Sequence, residues 1–336
     1  MRTNQNTGMD AGHASLTVPE TVVRQPVLWW AGAGAVFLAL QAYVLLSWVL
    51  SPDFASRGTG VDPVPAQVRT SAWISQFNSV VAFLVCAIYC VRRSRREGCL
   101  TWDALLMIGG LSVCWLDTAI NYFRSVVLYN AYMLNWGSWN AHIPGWASGS
   151  AHPTPEPLVF VTGLYGWWFL LFSAVFCGVA RRLELHWPRI GVLGLVLAGV
   201  VTLSLLDALL ELIFVFSGLY AYAAVVPGWT LWLGTVHQFP LYGPLILGVL
   251  CTIVAMLRYG ARKQRYSFVE RGSDELPVSA PVRTAIRILA IVGFMNTVFV
   301  IAVFAHWWIG SHAEGPLPVP SYLVLDNADS TFNCVT

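Results

Sequence analysis

Charged residues are scarce in this sequence of 336 residues, because Asp, Glu, Lys and Arg together make up only 11% of it. Lysine occurs once, at Lys263, whereas hydrophobic residues account for 57%. A soluble domain of this length needs many more charges to cover its surface. The composition therefore indicates an integral membrane protein, and the net charge of +2 gives no reason to expect a nucleic-acid partner.

The sequence also lacks the common metal and disulfide patterns. Neither CxxC nor HExxH occurs, and the seven cysteines are an odd number. Most of them lie in apolar runs, where cysteine usually serves as a small hydrophobe. Neither a disulfide framework nor a zinc site is therefore indicated. The polar first 24 residues show no short apolar core before a cleavage site, so we expect the first span to remain in the mature protein.

Long apolar runs are what the sequence does contain. Seven stretches have the length that crosses a bilayer. They lie near 27–50, 72–91, 101–123, 157–180, 190–217, 238–257 and 285–309. The predicted fold class is all-α, a polytopic membrane bundle of about seven transmembrane helices. We expect a polar cytoplasmic segment over 1–26, one transmembrane domain over 27–310, and an exposed outer tail over 311–336.

The basic residues predict the orientation of the bundle. Of the 19 basic residues, 16 fall on one predicted side of the membrane. They precede span one, follow spans two, four or six, or begin span seven. The three that fall on the other side are Arg57, Arg69 and Arg124. Because positive charge accumulates on the cytoplasmic side, the N-terminus is predicted to be cytoplasmic and the C-terminus to lie outside.

A long connection over 124–156 faces outward in this arrangement. Its aromatic residues alternate with asparagines and a histidine, and a loop this long in a compact protein is usually functional. It is predicted to be a lid or binding loop. The alternative is an interfacial belt of Trp and Tyr, which membrane proteins commonly have.

Acidic side chains inside apolar helices are the main functional signal. Asp207 and Glu211 lie four residues apart in a nearly uncharged run, and Asp117 and Asn121 repeat that spacing in the third span. Intramembrane acids are costly, so they indicate function. Two adjacent carboxyl groups repel when both are ionised, so Asp207 and Glu211 are predicted to share one proton and titrate as a unit. Asp117 and Asn121 could instead form an interhelical hydrogen-bond clamp.

Helical rise places these polar groups at a similar depth. Asp117 and Asp207 each lie roughly 22–24 Å from the predicted cytoplasmic end at 1.5 Å per residue. Other polar residues approach the same outer half from spans two, six and seven: Gln76, Asn78, His237, Gln238, Tyr242 and His306. An ordinary interfacial position explains Gln76, Asn78, His237 and His306 equally well. We therefore expect a polar site in the outer half of the bundle.

A divalent metal is one alternative use of the acids. The DxxxN and DxxxE spacings are similar to those of the aspartate-rich helices of membrane prenyltransferases. Diphosphate sites also need Lys or Arg to hold the phosphates, and Arg124 is the only basic residue near this level. We therefore predict no metal.

The segment from Trp115 to Trp146 reads WLDTAINYFRSVVLYNAYMLNWGSWNAHIPGW. Its WxD…NY…YN…N.GSW…PGW arrangement resembles the AveC-like spirocyclase family, named for the membrane protein of avermectin biosynthesis. HQFPLY at 237–242 is similar to a family feature as well. The resemblance implies a multi-pass protein of a bacterial cell membrane. It also implies that a ketone bearing two hydroxyls closes into a spiroketal on a polyketide macrolide, with loss of one water. Some members also dehydrate a neighbouring alcohol.

This chemistry fits the residues without a cofactor. Asp207 or Glu211 can donate protons, and the ionised partner can face an oxocarbenium ion. Asp117, held by Asn121, can act as a base or a second acid, and Tyr129, Trp139 and Trp146 are candidates for an aromatic wall. The predicted substrate-binding residues are Asn121, Tyr122, Arg124, Tyr129, Asn135, Trp139, Trp146, His237 and Tyr242. The predicted partners are the macrolide and the lipid bilayer.

Other function classes remain open on sequence grounds. A proton-coupled transporter of a small apolar metabolite also uses intramembrane acids, but it predicts polar residues through the full depth of the bundle. A retinal protein needs a buried lysine, and Lys263 falls in a predicted loop. A non-catalytic scaffold would leave the acids unexplained.

Overall fold

A computed structural model of the chain describes residues 25–147, 154–263, 266–314 and 319–323. Seven α-helices form most of this part of the chain: α1 (Pro26–Val49), α2 (Ala66–Glu97), α3 (Trp102–Val113), α4 (Leu158–His186), α5 (Val192–Phe216), α6 (Tyr242–Lys263) and α7 (Ala280–Gly310). A 3₁₀ helix over Cys114–Asn121 extends α3 into a third span, Trp102–Asn121. In the described residues, all seven spans are long and apolar enough to cross a membrane. The predicted all-α membrane bundle is confirmed, whereas its orientation stays a prediction.

The connections, as far as the structure describes them, carry four short strands and four short 3₁₀ helices. β1 (Val127–Tyr129) pairs antiparallel with β2 (Tyr220–Tyr222), and β3 (Thr230–Leu231) pairs antiparallel with β4 (Phe239–Pro240). The 3₁₀ helices are Asn140–His142, Pro227–Trp229, Phe268–Glu270 and Ser321–Leu323. These elements do not change the fold class, but the pairing of β1 with β2 joins two connections that are far apart in sequence.

The turn between α2 and α3 shows how local sequence fixes one end of the bundle. Gly98 has a φ of +64° and ends α2, which is the position where glycine avoids the strain of a left-handed backbone. Thr101 then caps α3, since its hydroxyl accepts the Ala104 amide. This turn places Asp103, in the first turn of α3, against Arg93 of α2 and Arg258 of α6.

The remaining helices pack around α3 and α4. α3 lies against α2, α4 and α7, while α4 also contacts α2, α5 and α6. α1 packs on α7, where their backbones approach so closely that a Cβ on Gly34 would collide with the Leu289 carbonyl oxygen. Such small residues at helix crossings are typical of membrane bundles. α1 and α2 lie at the periphery, and α3 is the most buried span.

The terminal segments give one correction. Residues 1–24 and 324–336 lie outside the described residues. The predicted exposed tail is wrong for Tyr322 and Leu323, because both are buried against Ala221. The Tyr322 carbonyl also accepts the Ala131 amide at 2.8 Å. Burial of these apolar side chains fixes that part of the tail on the outer face of the β1–β2 ladder.

Candidate functional site

A chamber of about 130 Å³ lies at one end of the bundle. Its walls come from the 3₁₀ part of the third span, from α4, α5, α6 and α7, and from β1 and β2. Asp117 and Glu211, from the third and fifth spans, both line it. The C-terminal ends of spans three, five and seven lie here, so this is the end predicted to face outward. The acidic groups therefore meet at one chamber, as the depth argument predicts.

The 3₁₀ conformation determines where Asp117 points. A 3₁₀ helix of eight residues is unusually long, and such stretches often mark functional positions. Indole N–H groups from elsewhere donate to its carbonyls: Trp139 Nε1 to Trp115 O at 2.8 Å, and Trp307 Nε1 to Ala119 O at 2.7 Å. These donors stabilise carbonyl positions that a continuous α-helix would not present. With three residues per turn, Asp117 and Asn121 no longer share a face.

Three side chains donate hydrogen bonds to Asp117. The Tyr129 hydroxyl donates to Oδ2 and the Tyr165 hydroxyl to Oδ1, each at 2.8 Å. The Glu156 carboxyl also hydrogen-bonds Asp117. Acceptance of several hydrogen bonds by both oxygens is what an ionised carboxylate does. Burial, followed by the charge of Asp117, raises the pKa of Tyr129 well above its usual range, so that phenol keeps its proton and donates.

Glu156 is a buried acid that stands behind Asp117. Its side chain is 1% exposed, and Oε1 has no hydrogen-bond partner among the described residues. Burial raises the pKa of the Glu156 carboxyl well above its usual range, and the charge of Asp117 and the hydrogen bond to it raise it further. A protonated Glu156 that donates to an ionised Asp117 satisfies both observations. We therefore expect the two acids to share one proton.

Glu211 has a similar environment on the opposite wall. The Tyr222 hydroxyl lies 3.1 and 3.0 Å from its two oxygens, and Tyr220 also hydrogen-bonds this carboxyl. Burial and then the charge of Glu211 raise the pKa values of Tyr220 and Tyr222 well above the usual range, which keeps both phenols protonated. Asp207 lies one helical turn away with 0% exposure. Neither of its carboxyl oxygens has a hydrogen-bond partner in the described part of the chain.

The β1–β2 ladder supplies Tyr129 to Asp117, and it supplies Tyr220 and Tyr222 to Glu211. Tyr129 pairs with Tyr220, and Val127 pairs with Tyr222. Alternate residues of a strand point to the same face, so all four side chains point to one side of the ladder. That side is the chamber, which all four residues line. The intervening Ala221 packs on the opposite face against Tyr322. Because side chains alternate between the two faces of these short strands, the three tyrosines form a polar wall of the chamber.

The remaining walls are mostly aromatic and aliphatic. Phe160, Trp168 and Phe169 come from α4, Phe214 from α5 and Phe299 from α7. His306 of α7 also lines the chamber, with Nδ1 3.0 Å from the Ala302 carbonyl oxygen. A carbonyl only accepts, so Nδ1 carries a proton and Nε2 is the remaining ring nitrogen. Buried acids in an apolar enclosure are an environment suited to proton transfer with little competing water.

Among the predicted catalytic acids, Asp117 and Glu211 line the chamber and Asp207 does not. The expectation that Asn121 holds Asp117 is wrong. Asn121 accepts the amides of Val126 and Val127 at 2.8 and 2.9 Å, and it donates to the Val127 carbonyl. It therefore fixes the start of β1, because the 3₁₀ geometry turns it away from Asp117.

Tyr129 is the one residue of the predicted substrate-binding set that lines the chamber. Trp139, expected in the aromatic wall, is 1% exposed and packs edge-on against Trp48 in the core. Asn135 folds the outer connection by donating to the carbonyls of Ala131 and Met133. Both of these corrections have the same cause, since a compact loop needs buried donors and anchors of its own.

The other predicted binding residues lie elsewhere at this end of the bundle. The Tyr122 ring packs edge-on against Trp146, and its hydroxyl donates to Pro144. His237 stacks on Phe216 with centroids 4.7 Å apart. Tyr242 begins α6 without lining the chamber, and Arg124 lines a second hollow and donates to Ala313. Their placement corrects the expectation that these side chains gather around the acids.

Sequence reasoning missed Glu156, Tyr165, Tyr220 and Tyr222. Glu156 stands between two prolines directly before α4, and an acid at that boundary could have been noted as a candidate partner of the chamber. The YAY alternation at 220–222 indicates a two-sided strand, but only its pairing with β1 shows which side faces the acids. Tyr165 sits among apolar residues of α4 and carries no separate signal.

Replacement of Glu156 by Gln should flatten the pH dependence of stability. Because the folded-state pKa of Glu156 is raised, its contribution is fully present below the pKa of the unfolded chain and is lost as pH rises through the folded value. The slope for one such proton is at most about 1.4 kcal/mol per pH unit. The introduced amide imitates the protonated acid, so the variant should lose less stability than the wild type as pH rises above about 5. Thermal unfolding in detergent measures this difference.

Glu97→Gln is the matched control, since Glu97 is an exposed acid that pairs with Arg93 on α2. We expect its stability profile to keep the slope of the wild type. Equal slopes for the wild type and the Glu156→Gln variant would contradict a shared proton at Glu156.

No group of three or more His, Cys, Asp or Glu residues is placed to hold a metal ion within the described residues. The chamber acids form two separate pairs, each bound by tyrosine hydroxyls. The arrangement suits proton donation and acceptance.

Comparison with known proteins gives one match. The family model described as "Spirocyclase AveC-like" matches residues 91–320, which is 230 of the 336 residues. This range includes the whole chamber, from Asp117 to His306. No curated protein and no solved structure matches the chain. Because the family model covers more than half of the sequence, including both acid pairs, the chain belongs to the AveC-like spirocyclase family.

Proposed function

We propose that this protein closes a dihydroxy-ketone polyketide, of the macrolide class, into a spiroketal by acid–base catalysis with loss of water. One observation carries the proposal. Two pairs of acids, the half-buried Asp117 with the buried Glu156 and the buried Glu211 with the buried Asp207, present one carboxyl each to a single apolar chamber. The reaction needs a proton donor and a proton acceptor at one carbon, held away from bulk water.

The contacts of the two pairs suggest different starting roles. Asp117 accepts hydrogen bonds from Tyr129, Tyr165 and Glu156, which suits a carboxylate that acts first as the base. Asp207 has no donor to compensate a negative charge in the described part of the chain. The Asp207–Glu211 pair therefore starts with one shared proton. Glu211, the member that reaches the chamber, takes that proton from Asp207 before it meets the substrate, although Tyr222 also hydrogen-bonds its carboxyl group. Glu211 is thus the first acid.

The first ring forms by addition to the ketone. One substrate hydroxyl oxygen bonds to the carbonyl carbon, while the carbonyl oxygen takes a proton from Glu211. Asp117 takes the proton of the attacking hydroxyl. The product is a hemiketal, and the proton has passed in effect from Glu211 to Asp117.

The second ring forms with the roles reversed. Asp117 returns its proton to the hemiketal hydroxyl, which leaves as water and produces an oxocarbenium ion. The second substrate hydroxyl bonds to that carbon and loses its proton to Glu211. Both acids return to their starting states, with two C–O bonds formed and one water released. Neither step consumes a cofactor.

Stabilisation of the cation is the demanding step. Phe169, Phe214 and Phe299 line the chamber, and an aromatic ring whose face meets a cation attracts it by roughly 0.5–2 kcal/mol. The carboxylate of Asp117 adds a fixed negative charge where the cation develops. A small apolar enclosure also limits the return of water to the cation. Dehydration of a neighbouring alcohol would need the same acid and base.

The decisive experiment is incubation of the purified protein in detergent with a dihydroxy-ketone macrolide. We expect a product lighter by one water and of a single configuration at the spiro carbon, formed equally with and without a chelator. A protein-free sample controls for spontaneous ring closure, in which the protein does not influence the configuration of the product. Absence of product, or the same mixture of configurations as in the protein-free sample, would contradict the proposal.

A proton-gradient assay tests the transporter alternative. Reconstituted vesicles loaded with the same macrolide should show no transport driven by a pH gradient. The alternative expects ionisable side chains through the depth of the bundle. The chamber acids lie at one end, whereas Ser112 and Asn296, which are buried between them and Asp103, are uncharged and hydrogen-bonded to each other.

A further inference from the structure

A second hollow lies beside the chamber, between the end of the third span and α7. It measures about 370 Å³ and is lined by residues of the end of the third span, the connection that follows it, α7 and the residue after α7. Ile120 and His306 line both spaces. These two side chains therefore form the partition between the hollow and the acid chamber.

The outer wall of the hollow faces lipid. Phe123, Phe304 and Trp308 line it and are 57%, 56% and 74% exposed. Phe304 and Trp308 lie in the membrane-spanning helix α7, where exposed apolar side chains contact acyl chains. Arg124 and Ser311 supply polar groups at the rim. An apolar floor with a polar rim fits a hydroxylated, otherwise apolar molecule that has partitioned into the bilayer.

The chamber is too small for the whole proposed substrate, which therefore needs adjoining space. A cavity of about 150 Å³ accommodates benzene, so the chamber of 130 Å³ holds about one six-membered ring. A spiroketal has two rings, and a polyketide precursor carries a long chain besides. Everything beyond the reacting carbons must lie outside the acid chamber, and the adjoining hollow meets the chamber at the Ile120–His306 partition.

We propose that the hollow is the lateral, lipid-facing portal of the enzyme, with Ile120 and His306 as its gate. It holds the apolar remainder of the polyketide while the hydroxy-ketone segment reaches Asp117 and Glu211. The inference rests on the proposed function for the identity of this occupant. Passage of a small molecule through this gate is measured without catalysis.

Cys251 reports on the passage, because its side chain lines the chamber. In phosphatidylcholine vesicles, N-ethylmaleimide should alkylate Cys251, whereas a charged, impermeant methanethiosulfonate should not. Peptide mapping separates this reaction from that of Cys99, which is exposed and serves as the internal reference. Ile120→Trp should slow alkylation of Cys251 about tenfold or more, and Ile120→Ala should accelerate it.

Ile301→Trp is the matched control, since Ile301 is 61% exposed on α7 and lines neither space. It should leave the labelling rate of Cys251 unchanged. A variant that unfolds would reveal itself by reacting with the charged reagent. Equal rates of Cys251 alkylation in the wild type and in Ile120→Trp would contradict the portal, and they are expected if a lipid chain seals the hollow. Absence of any reaction at Cys251 in the wild type would contradict it too. Failure of the spirocyclase assay would leave this result untouched.

Discussion

Asp117→Asn should lower the turnover number for spiroketal formation by about 10²–10⁴-fold, the usual contribution of a general acid or base. Asn keeps the size of the side chain and one acceptor for Tyr129 or Tyr165, but it can neither take nor return a proton. The KM should change less than the turnover number, because the chamber walls are preserved. Steady-state turnover of the macrolide, followed by mass detection, measures the effect.

Glu211→Gln should cause a loss of the same order, because the proposed cycle passes one proton between the two acids. Asp207→Asn should also reduce turnover, because Asp207 is the acid that shares its proton with Glu211 in the proposed cycle. Expression and membrane insertion should be unaffected, and Glu97→Gln serves as the control for removal of an acid far from the chamber. Wild-type turnover in the Asp117→Asn protein would remove that residue from the mechanism.

Asp103→Ala should destabilise the folded bundle by about 3–5 kcal/mol, the typical result of removing one partner from a buried ion pair. The Asp103 side chain is 2% exposed. One of its oxygens accepts a hydrogen bond from Arg93 and the other from Arg258, so the carboxylate connects α2, α3 and α6. Without the carboxylate, two guanidinium groups remain close together with less compensation. Denaturant-induced unfolding in mixed micelles measures the change in free energy.

Glu97→Ala is the matched control for this effect. Glu97 pairs with the same Arg93 at 2.7 Å, but its side chain is 45% exposed. Exposed pairs contribute about 0–1 kcal/mol because water screens them. A similar free-energy change for both variants would show that the Asp103 cluster does not lock the helices.

Much of the fold was accessible from the sequence because lipid imposes simple rules. A spanning segment must satisfy its backbone internally, so length and hydropathy predict the helices. The predicted span 157–180 corresponds to Leu158–His186, and the predicted span 190–217 corresponds to Val192–Phe216. The predicted lengths fell short where a helix continues into polar residues, as α2 does through Glu97.

The site was accessible only in part. The depth of a residue follows from helical rise, which is why Asp117 and Glu211 were expected at one level. The direction of a side chain depends on the local helix type, and the shift to a 3₁₀ helix at Cys114 separated Asn121 from Asp117. That shift is stabilised by Trp139 and Trp307, which are distant in sequence. No local pattern could have shown it.

The sequence by itself determined that this is a seven-span membrane protein of the AveC-like family with acids concentrated toward one end. The length of the apolar runs, the scarcity of charge and one aromatic motif are local properties, so they can be recognised from the sequence. The tertiary structure alone decided the partners of those acids. Glu156 reaches Asp117 from the end of the connection before α4, where its amide donates to the Gly137 carbonyl. Tyr222 reaches Glu211 from the β1–β2 ladder, which joins two connections that lie far apart in the chain. Contacts of that kind arise from packing between distant segments, which no local periodicity encodes.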